Sequence, residues 1–359
     1  MKQLLLSAIL VVATLFGGIA VGSVGVAGAQ ETCSFPVTKT DATGTDVTIE
    51  KEPQRIVTLS PSAAQTMWEI GGKQKVVGVT KYSAYLDGAN GKANVSGAGT
   101  TTVVAEKVVA QNPDLVLAPN IIPDQTVQKL RDAGLTVYKF REAKSLEDIY
   151  AKTELTGQLT GECQGATETV SWMKDRIQTV RQAVKGEDRP KALYVMGGGF
   201  TAGEGTYIDT IIRTGGGTNV AAEADISGYE QISSEVVVQQ KPEWFVLSGS
   251  MKAPGTYSDT PAAKRNRTVS LNPNYLNQPA PRIVYPITKL AKTFHPEAYK
   301  QANVTTTTET DETMTTTTES MSSTTTATTT ESGGQPGFGA MTATFAGALA
   351  LLTFLARRE

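Results

Sequence analysis

Few side chains of this chain could support redox, metal or nucleophilic chemistry. It contains one histidine, His295, and two cysteines, Cys33 and Cys163. That set excludes a Cys/His zinc-finger array and a cluster held by four cysteines, and a Ser-His-Asp triad would have to use His295. His295 stands near the end of a predicted helix, where we expect a helix-end or surface residue rather than an axial metal ligand. We predict no catalytic residues and no metal site.

Residues suited to ligand recognition are better represented, because aromatic and polar side chains directly follow several predicted strands. In open α/β sheets, ligands bind beyond the carboxyl ends of the strands. Rings and phenol hydroxyls at those ends would suit a broad, partly apolar ligand, although ordinary packing is an equal alternative for any one tyrosine. The candidate ligand-binding residues are Ser60, Tyr82, Tyr85, Asn120, Phe200 and Tyr229.

A glycine-rich stretch follows one of these strands. Five glycines lie between positions 197 and 205. The stretch lacks the Gly-Lys-Ser/Thr of a phosphate loop and the full dinucleotide-binding fingerprint. We interpret it as a strand-to-helix turn that lets the backbone approach a ligand, with a plain loop as the alternative.

Length and composition indicate the class of protein that must position these residues. A chain of 359 residues has room for about two domains. Apolar residues make up 40 % and charged residues 19 %, which suits a globular protein and excludes one with many membrane spans. The net charge of −2 gives no basic footprint, so we predict no nucleic-acid partner.

Both ends of the chain differ from its middle. Residues 1–29 have a charged start, an apolar run and an Ala-Gly-Ala exit, which predicts a secretory signal peptide. Residues 303–335 form a Thr-rich segment, with 16 threonines between 305 and 330. This composition predicts a disordered, O-glycosylated stalk. Residues 336–359 contain Pro336-Gly337-Phe338, an apolar run and terminal arginines, which predict a membrane segment with its C-terminus inside.

The middle of the chain alternates short β-branched runs with helical segments, which is typical of α/β units. Predicted strands are 55–59, 76–79, 115–118, 136–139, 192–196, 244–247 and 268–271. Predicted helices are 62–70, 104–111, 124–133, 146–159, 207–213, 234–240 and 287–294.

Two segments of this middle region match each other. EKVVAQNPDLVL begins at Glu106 and EVVVQQKPEWFV begins at Glu235, each with proline seven places after the glutamate. The pattern predicts a helix, a stop at proline and a buried strand, used twice. Between the copies, apolar residues at steps of three and four predict one long helix over 166–185. We therefore predict an N-terminal α/β lobe at 30–160, a bridging helix within 161–188 and a C-terminal α/β lobe at 189–302.

These motifs resemble a known family. RIVTLSPSAA at 55–64, VVGVT at 76–80, the two glutamate segments, and LRDAGLTV at 130–137 are similar, in order and spacing, to substrate-binding proteins of ABC importers for cobalamin and iron–siderophore complexes. The resemblance implies two Rossmann-like α/β lobes, one bridging helix and a ligand cleft between the lobes. It implies a binding protein rather than an enzyme, with a transported corrinoid as cargo and no resident cofactor. An iron–siderophore or heme cargo is the alternative, and a surface enzyme or structural protein a distant one.

The same resemblance implies partners. In this family one glutamate per lobe docks on the importer's membrane subunits, which makes Glu106 and Glu235 candidate docking residues for the permease of a permease–ATPase complex. Acids that only favour their helix N-termini are the alternative. We expect the chain to act as a monomer.

The tail resembles the archaeal PGF-CTERM sorting signal, with Pro336, Gly337 and Phe338 as its motif. That resemblance implies an archaeal surface protein, anchored to the membrane through its C-terminal tail; a plain transmembrane anchor is the alternative. Because cysteines outside the membrane tend to pair, we predict a Cys33–Cys163 disulfide. The sequons at Asn94, Asn266 and Asn303 are candidate glycosylation sites.

Overall fold

A computed structural model describes residues 33–98 and 102–302. The predicted signal peptide, stalk and sorting signal, with Asn303, Pro336, Gly337 and Phe338, lie outside the described residues. Within the described part, no helix is both long and apolar enough to cross a membrane.

The first lobe is built on a parallel sheet. Its strands are short runs rich in valine, leucine and isoleucine, the composition expected of strands covered on both faces. They pair in the order β5-β4-β3-β6-β7. An antiparallel hairpin, β1–β2, precedes this sheet. The strands are β1 (Val37–Thr40), β2 (Asp46–Ile49), β3 (Ile56–Thr58), β4 (Val76–Val79), β5 (Ala93–Asn94), β6 (Leu115–Ala118) and β7 (Val137–Lys139).

Helices cover the sheet and lead into the second lobe. They are α1 (Pro61–Glu69), α2 (Ala105–Val109), α3 (Asp124–Asp132), α4 (Leu146–Thr160) and α5 (Cys163–Ala183). Helix α4 begins at a capping box, in which the Ser145 hydroxyl accepts the Asp148 amide while the Asp148 carboxylate accepts the Ser145 amide. It ends at Gly161, which takes the left-handed conformation that glycine adopts most readily.

The second lobe repeats the core of the first. Strands β8, β12 and β13 pair in parallel in the same order as β3, β6 and β7, and β10 takes the place beside β8 that β4 takes beside β3. The internal repeat predicted one part of this correspondence, that of β6 with β12. The strands are β8 (Lys191–Val195), β9 (Phe200–Ala202), β10 (Thr218–Asn219), β11 (Tyr229–Gln231), β12 (Trp244–Ser248) and β13 (Thr268–Leu271).

The helices of the second lobe are α6 (Tyr207–Thr214), α7 (Val220–Glu223), α8 (Ser234–Gln240), α9 (Pro261–Lys264), α10 (Pro273–Leu276) and α11 (Val284–Phe294). Helix α11 begins three residues before the predicted start. Pro286 therefore lies in its first turn, where a missing N–H costs no helical hydrogen bond.

Helix α5 joins the two lobes and has the predicted apolar face. Ala166 packs in a core cluster of the first lobe. Further along, the predicted stripe from Val170 to Val184 is buried in the main core cluster of the second lobe. Cys33 and Cys163 form a disulfide with Cα atoms 5.5 Å apart, so the chain entering the first lobe is fastened to the first residue of α5.

Candidate functional site

The carboxyl edges of both sheets border the space between the lobes. Gln65, on the helix after β3, donates to the Asn274 carbonyl after β13 at 3.2 Å. Thr210, on α6, donates to the Lys144 carbonyl after β7, also at 3.2 Å. Segments that follow strands in one lobe thus contact segments that follow strands in the other, which is where a ligand is expected in such sheets.

Large apolar side chains stand exposed at these edges. Tyr82 follows β4 and is 37 % exposed, and Phe200, at the start of β9, is 41 % exposed. Tyr229 in β11 is 42 % exposed. Ile121, after β6, is 49 % exposed. It could not be predicted from sequence, because a single exposed isoleucine in a loop belongs to no recognisable pattern. Both lobes therefore carry exposed apolar groups on segments that follow or flank their strands, as expected of binding sites for partly apolar molecules.

A small antiparallel ribbon presents two of these rings together. In the β9–β11 pair, Phe200 lies opposite Gln231 and Tyr229 opposite Ala202. Opposed residues and residues two apart share a face, so Phe200 and Tyr229 lie on the same face of the ribbon as diagonal neighbours. The glycine-rich stretch connects β8 to α6, as predicted, but it contains strand β9 of this ribbon, which was not predicted.

Glycine is required at two points of that ribbon. Gly198 and Gly199 both have positive φ, and the turn that they make starts β9. Behind it, a Cβ on Gly203 would lie 1.9 Å from the carbonyl oxygen of Ile226. The close approach of these backbones explains why the composition of this stretch is so restricted.

Tyr229 interacts with Tyr207, a residue that the sequence did not predict to belong to the site. The hydroxyl of Tyr207, the first residue of α6, affects the pKa of Tyr229. Enclosure of the Tyr229 hydroxyl raises its pKa to about 12, against a partly opposing effect of Tyr207; the Glu142 carboxylate of the first lobe raises the pKa further. Tyr229 is therefore a neutral hydrogen-bonding group at ordinary pH.

Three other predicted residues have less free surface. The Ser60 side chain is buried, with its hydroxyl 2.9 Å from that of Ser62. The Tyr85 hydroxyl accepts from Gln65 at 2.8 Å, and burial raises its pKa. Asn120 is half-buried beside Ile121. Tyr85 thus joins the network between lobes, whereas Tyr82, Phe200 and Tyr229 present the open surface.

His295 lies away from this edge. It ends α11, where a ring nitrogen lies 3.1 Å from the carbonyl oxygen of Gly216. The expectation of a helix-end residue is met, but that of surface exposure is wrong, because the turn at Gly216 covers the ring. Among the described residues, no group of histidine, cysteine and carboxylate side chains could hold a metal ion.

Glu106 and Glu235 occupy equivalent positions in the two lobes. Each is exposed in the first turn of a short helix, Glu106 in α2 and Glu235 in α8. Helix α2 leads to β6, which pairs with β3, and helix α8 leads to β12, which pairs with β8. Glu106 pairs with Lys129 at 3.1 Å. Such a pair between exposed side chains contributes little, so a partner's cation could displace it.

The described sequons both lie at the surface. Asn94 is exposed in β5, and its amide oxygen accepts from the Ser96 amide at 2.9 Å. Asn266 is exposed with a φ of +51°, which asparagine tolerates better than most residues.

This combination of two α/β lobes with parallel sheets and one bridging helix matches a known family. The periplasmic binding protein family model matches residues 56–275, and the chain belongs to that family. A cobalamin-binding protein of Halobacterium salinarum is 43 % identical over 283 residues, covering 75 % of this chain and 77 % of that protein. An uncharacterized ABC transporter substrate-binding lipoprotein of Bacillus subtilis is 30 % identical, over 76 % of this chain and 90 % of that one.

Solved structures show the same fold. The apo form of a periplasmic heme-binding protein from Roseiflexus sp. RS-1 aligns with a TM-score of 0.62 and 26 % identity. The alignment covers 68 % of this chain and 99 % of that one.

Proposed function

We propose that the chain captures a cobalamin-type corrinoid in the cleft between its lobes and delivers it to an ABC importer. The observation that carries this proposal is the set of exposed rings, Tyr82 from one lobe and Phe200 and Tyr229 from the other. A corrinoid offers a wide apolar surface with amide groups at its edge, which suits rings with phenol hydroxyls. The relative named as cobalamin-binding supports the same cargo.

Calorimetric titration of the purified chain with cyanocobalamin tests the proposal. We expect one-to-one binding, with ferric siderophore and hemin titrated in parallel. Absence of cyanocobalamin binding would overturn the proposed cargo. Tight binding of hemin or siderophore instead would keep an importer binding protein with a different ligand.

Substitutions in the cleft locate the bound corrinoid. Tyr82→Ala, Phe200→Ala and Tyr229→Ala should each weaken cyanocobalamin binding by about tenfold or more, because a ring that covers ligand contributes about 1–3 kcal/mol. Tyr285→Ala is the matched control, since Tyr285 is 48 % exposed but packs with Trp172 and Tyr275 on α5 and α10. Equal losses in the control and the cleft variants would contradict the assignment.

A heme cargo is the second candidate, supported by the heme-binding structural neighbour. Heme iron needs an axial ligand. The single histidine lies behind Gly216, away from the strand ends where a ligand is expected. A hemin titration with optical detection decides between the two, since axial ligation by the protein changes the Soret band.

We infer that Glu106 and Glu235 dock the chain on the importer's permease. Their duplication at equivalent exposed positions supports this role, and charge pairs of this kind guide encounter and register. A Glu106→Arg, Glu235→Arg double variant should keep its cyanocobalamin affinity but lose uptake in cells. Glu154→Arg, Glu187→Arg is the control, because both residues are exposed acids on other surfaces. Normal uptake by the first variant would refute docking through these residues.

We further propose that the chain is an archaeal glycoprotein held at the cell surface. The proposal rests on the N-terminal and C-terminal segments of the sequence, and the lipoprotein name of one relative agrees with an extracytoplasmic place. Mass spectrometry of the mature protein should find residues 1–29 removed, glycans on Asn94, Asn266 or Asn303, and cleavage near Pro336. A full-length, unmodified chain recovered from the cytoplasm would exclude it.

A further inference from the structure

A second cavity lies on the flank of the first lobe. It has a volume of about 350 Å³ and is enclosed by hairpin strand β1, the end of β7 with the loop after it, and helix α4. All of its lining residues precede position 160, so the second lobe contributes none of its walls. None of the candidate cleft residues lines it. The cavity therefore has walls of its own, although Glu142 in its lining also affects the pKa of Tyr229.

The floor of this flank cavity is apolar. Tyr138 and Phe140 meet edge to face with ring centroids 5.1 Å apart, and Ala143, Ala151 and Leu155 complete the surface. A volume of this size is at the lower end of the range for small-ligand sites and accepts a molecule of about ten non-hydrogen atoms. A corrinoid is several times larger than the cavity.

Three cationic residues line the cavity, namely Lys39 in β1, Arg141 in the loop after β7 and Lys152 in α4. Lys152 is only 9 % exposed; its ammonium group donates to the Pro279 carbonyl at 3.0 Å and lies 5.9 Å from the centre of the Phe140 ring. Arg141 stands at the rim. Among residues 33–98 and 102–302, neither Lys152 nor Arg141 forms an ion pair.

The acids around the cavity are already engaged. The Asp148 carboxylate accepts from the backbone amides of Lys144 and Ser145, and Glu142 pairs with the Lys144 ammonium at 3.5 Å. Burial without an anion lowers the pKa of Lys152 to about 8. A buried cation over an apolar floor, with neither of these acids paired to it, is an environment that an incoming anion would complete.

We propose that the flank cavity binds a small carboxylate with an aromatic or branched apolar body, at a site distinct from the corrinoid cleft. The carboxylate would lie between Lys152 and Arg141, and the apolar body would cover Tyr138 and Phe140. The charge-assisted hydrogen bonds to the two cations select an acid over its neutral analogue.

Phenylacetate and phenylacetamide are matched probes, because they share shape and differ in charge. Binding of each to the full chain is measured by ligand-observed NMR or calorimetry. We expect phenylacetate to bind one to one at millimolar concentration or below, and phenylacetamide to bind about tenfold more weakly. No phenylacetate binding at millimolar concentration, or equal affinity for the two probes, would overturn the proposal.

Variants place the probe in the cavity. Lys152→Met and Arg141→Gln should each weaken phenylacetate about tenfold. Ala151→Trp, which fills the cavity from an exposed position of α4, should abolish binding. Lys174→Met is the control, because Lys174 belongs to α5, packs over the Tyr150 ring and does not line the cavity. Unchanged affinity in Arg141→Gln and Ala151→Trp, which alter exposed residues, would refute the site.

The cleft is tested apart from the cavity. Phenylacetate should bind equally well to the free chain and to the chain saturated with cyanocobalamin. Displacement by cyanocobalamin would put phenylacetate in the cleft and overturn the second site. A chain that fails to bind cyanocobalamin but binds phenylacetate as described would disprove only the proposed cargo.

Discussion

Lys152 makes the stability of the first lobe depend on pH in a direction that can be worked out. Its pKa is lowered from 10.5 to about 8 in the folded chain because the ammonium group is buried. The difference corresponds to about 3 kcal/mol of cost for keeping the charge inside at neutral pH. The hydrogen bond to Pro279 offsets part of that cost.

The sign follows from proton binding. Between about pH 8 and pH 10.5 the unfolded chain holds the lysine proton while the folded chain releases it, so the free energy of unfolding rises with pH. Lys152 should add about 2 kcal/mol of stability between neutral pH and about pH 9.5. Tyrosines whose pKa is raised by burial act oppositely at higher pH, so the useful window ends there.

Denaturant unfolding of the native chain and of Lys152→Met over this range gives the assay. The difference between the two curves isolates the lysine, because all other titrating groups are shared. We expect the native chain to gain about 2 kcal/mol relative to the variant by about pH 9.5. Lys174→Met should show no such gain, since this lysine is exposed. A flat difference for Lys152→Met would refute the reasoning, because it would mean that the ammonium group is hydrated in the folded chain.

Three further perturbations test other features. Replacing Cys33 and Cys163 by serine should lower the free energy of unfolding by about 2–4 kcal/mol, measured by thermal or denaturant unfolding, because the bridge closes a long loop; equal stability would show that it adds none. Gly203→Ala should cost about 1–3 kcal/mol and weaken cyanocobalamin binding, since the new methyl group meets a backbone carbonyl behind β9; unchanged melting and binding would contradict the close approach. Glu69→Gln should lower the melting temperature by a few degrees, because it removes the ionic partner of the half-buried Arg282 guanidinium between the lobes. An unchanged melting temperature would mean that the Glu69–Arg282 pair contributes nothing to stability.

The elements that sequence predicted are those whose signal is local. Strands β6 and β12 follow a proline and run as unbroken apolar segments, because both of their faces are covered. The stripe of α5 repeats at helical spacing, because one side of the helix faces the core of the second lobe. Each pattern is imposed by burial of consecutive residues, so it can be read without knowing what lies opposite.

The β9–β11 ribbon could not be predicted in the same way. Its strands have three residues each and are separated by 26 positions, from 203 to 228. Neither strand has an alternation of apolar and polar residues clear enough to predict a strand. The pairing of the two strands also depends on turns at Gly198 and Gly199, which bring distant backbone segments together. The pairing of Phe200 with Tyr229 on one face is consequently a tertiary feature.

The sequence predicted which candidate residues follow strands, but not the direction in which their side chains point. A residue that follows a strand lies at the carboxyl edge, yet its side chain can turn inward, as in Ser60, or outward, as in Tyr82. Direction depends on the neighbouring helix and loop, which sequence position does not specify. The contribution of Tyr207 was missed for the same reason, since its hydroxyl meets Tyr229 from a different element.

The placement of Cys33 and Ala302 at opposite ends of α5 has a mechanical consequence. Cys33 is bonded to the first residue of this helix, while Ala302 lies beside Gln182 and Ala183 near its last turn. The helix spans about 30 Å, so its two ends separate the entry of the chain from its exit. Tension applied through the chain beyond Ala302 would enter the second lobe near the end of α5 and bypass the cleft. The lobes could therefore keep their relative position under load, and the cleft could stay competent for binding while the molecule is pulled from its C-terminal side.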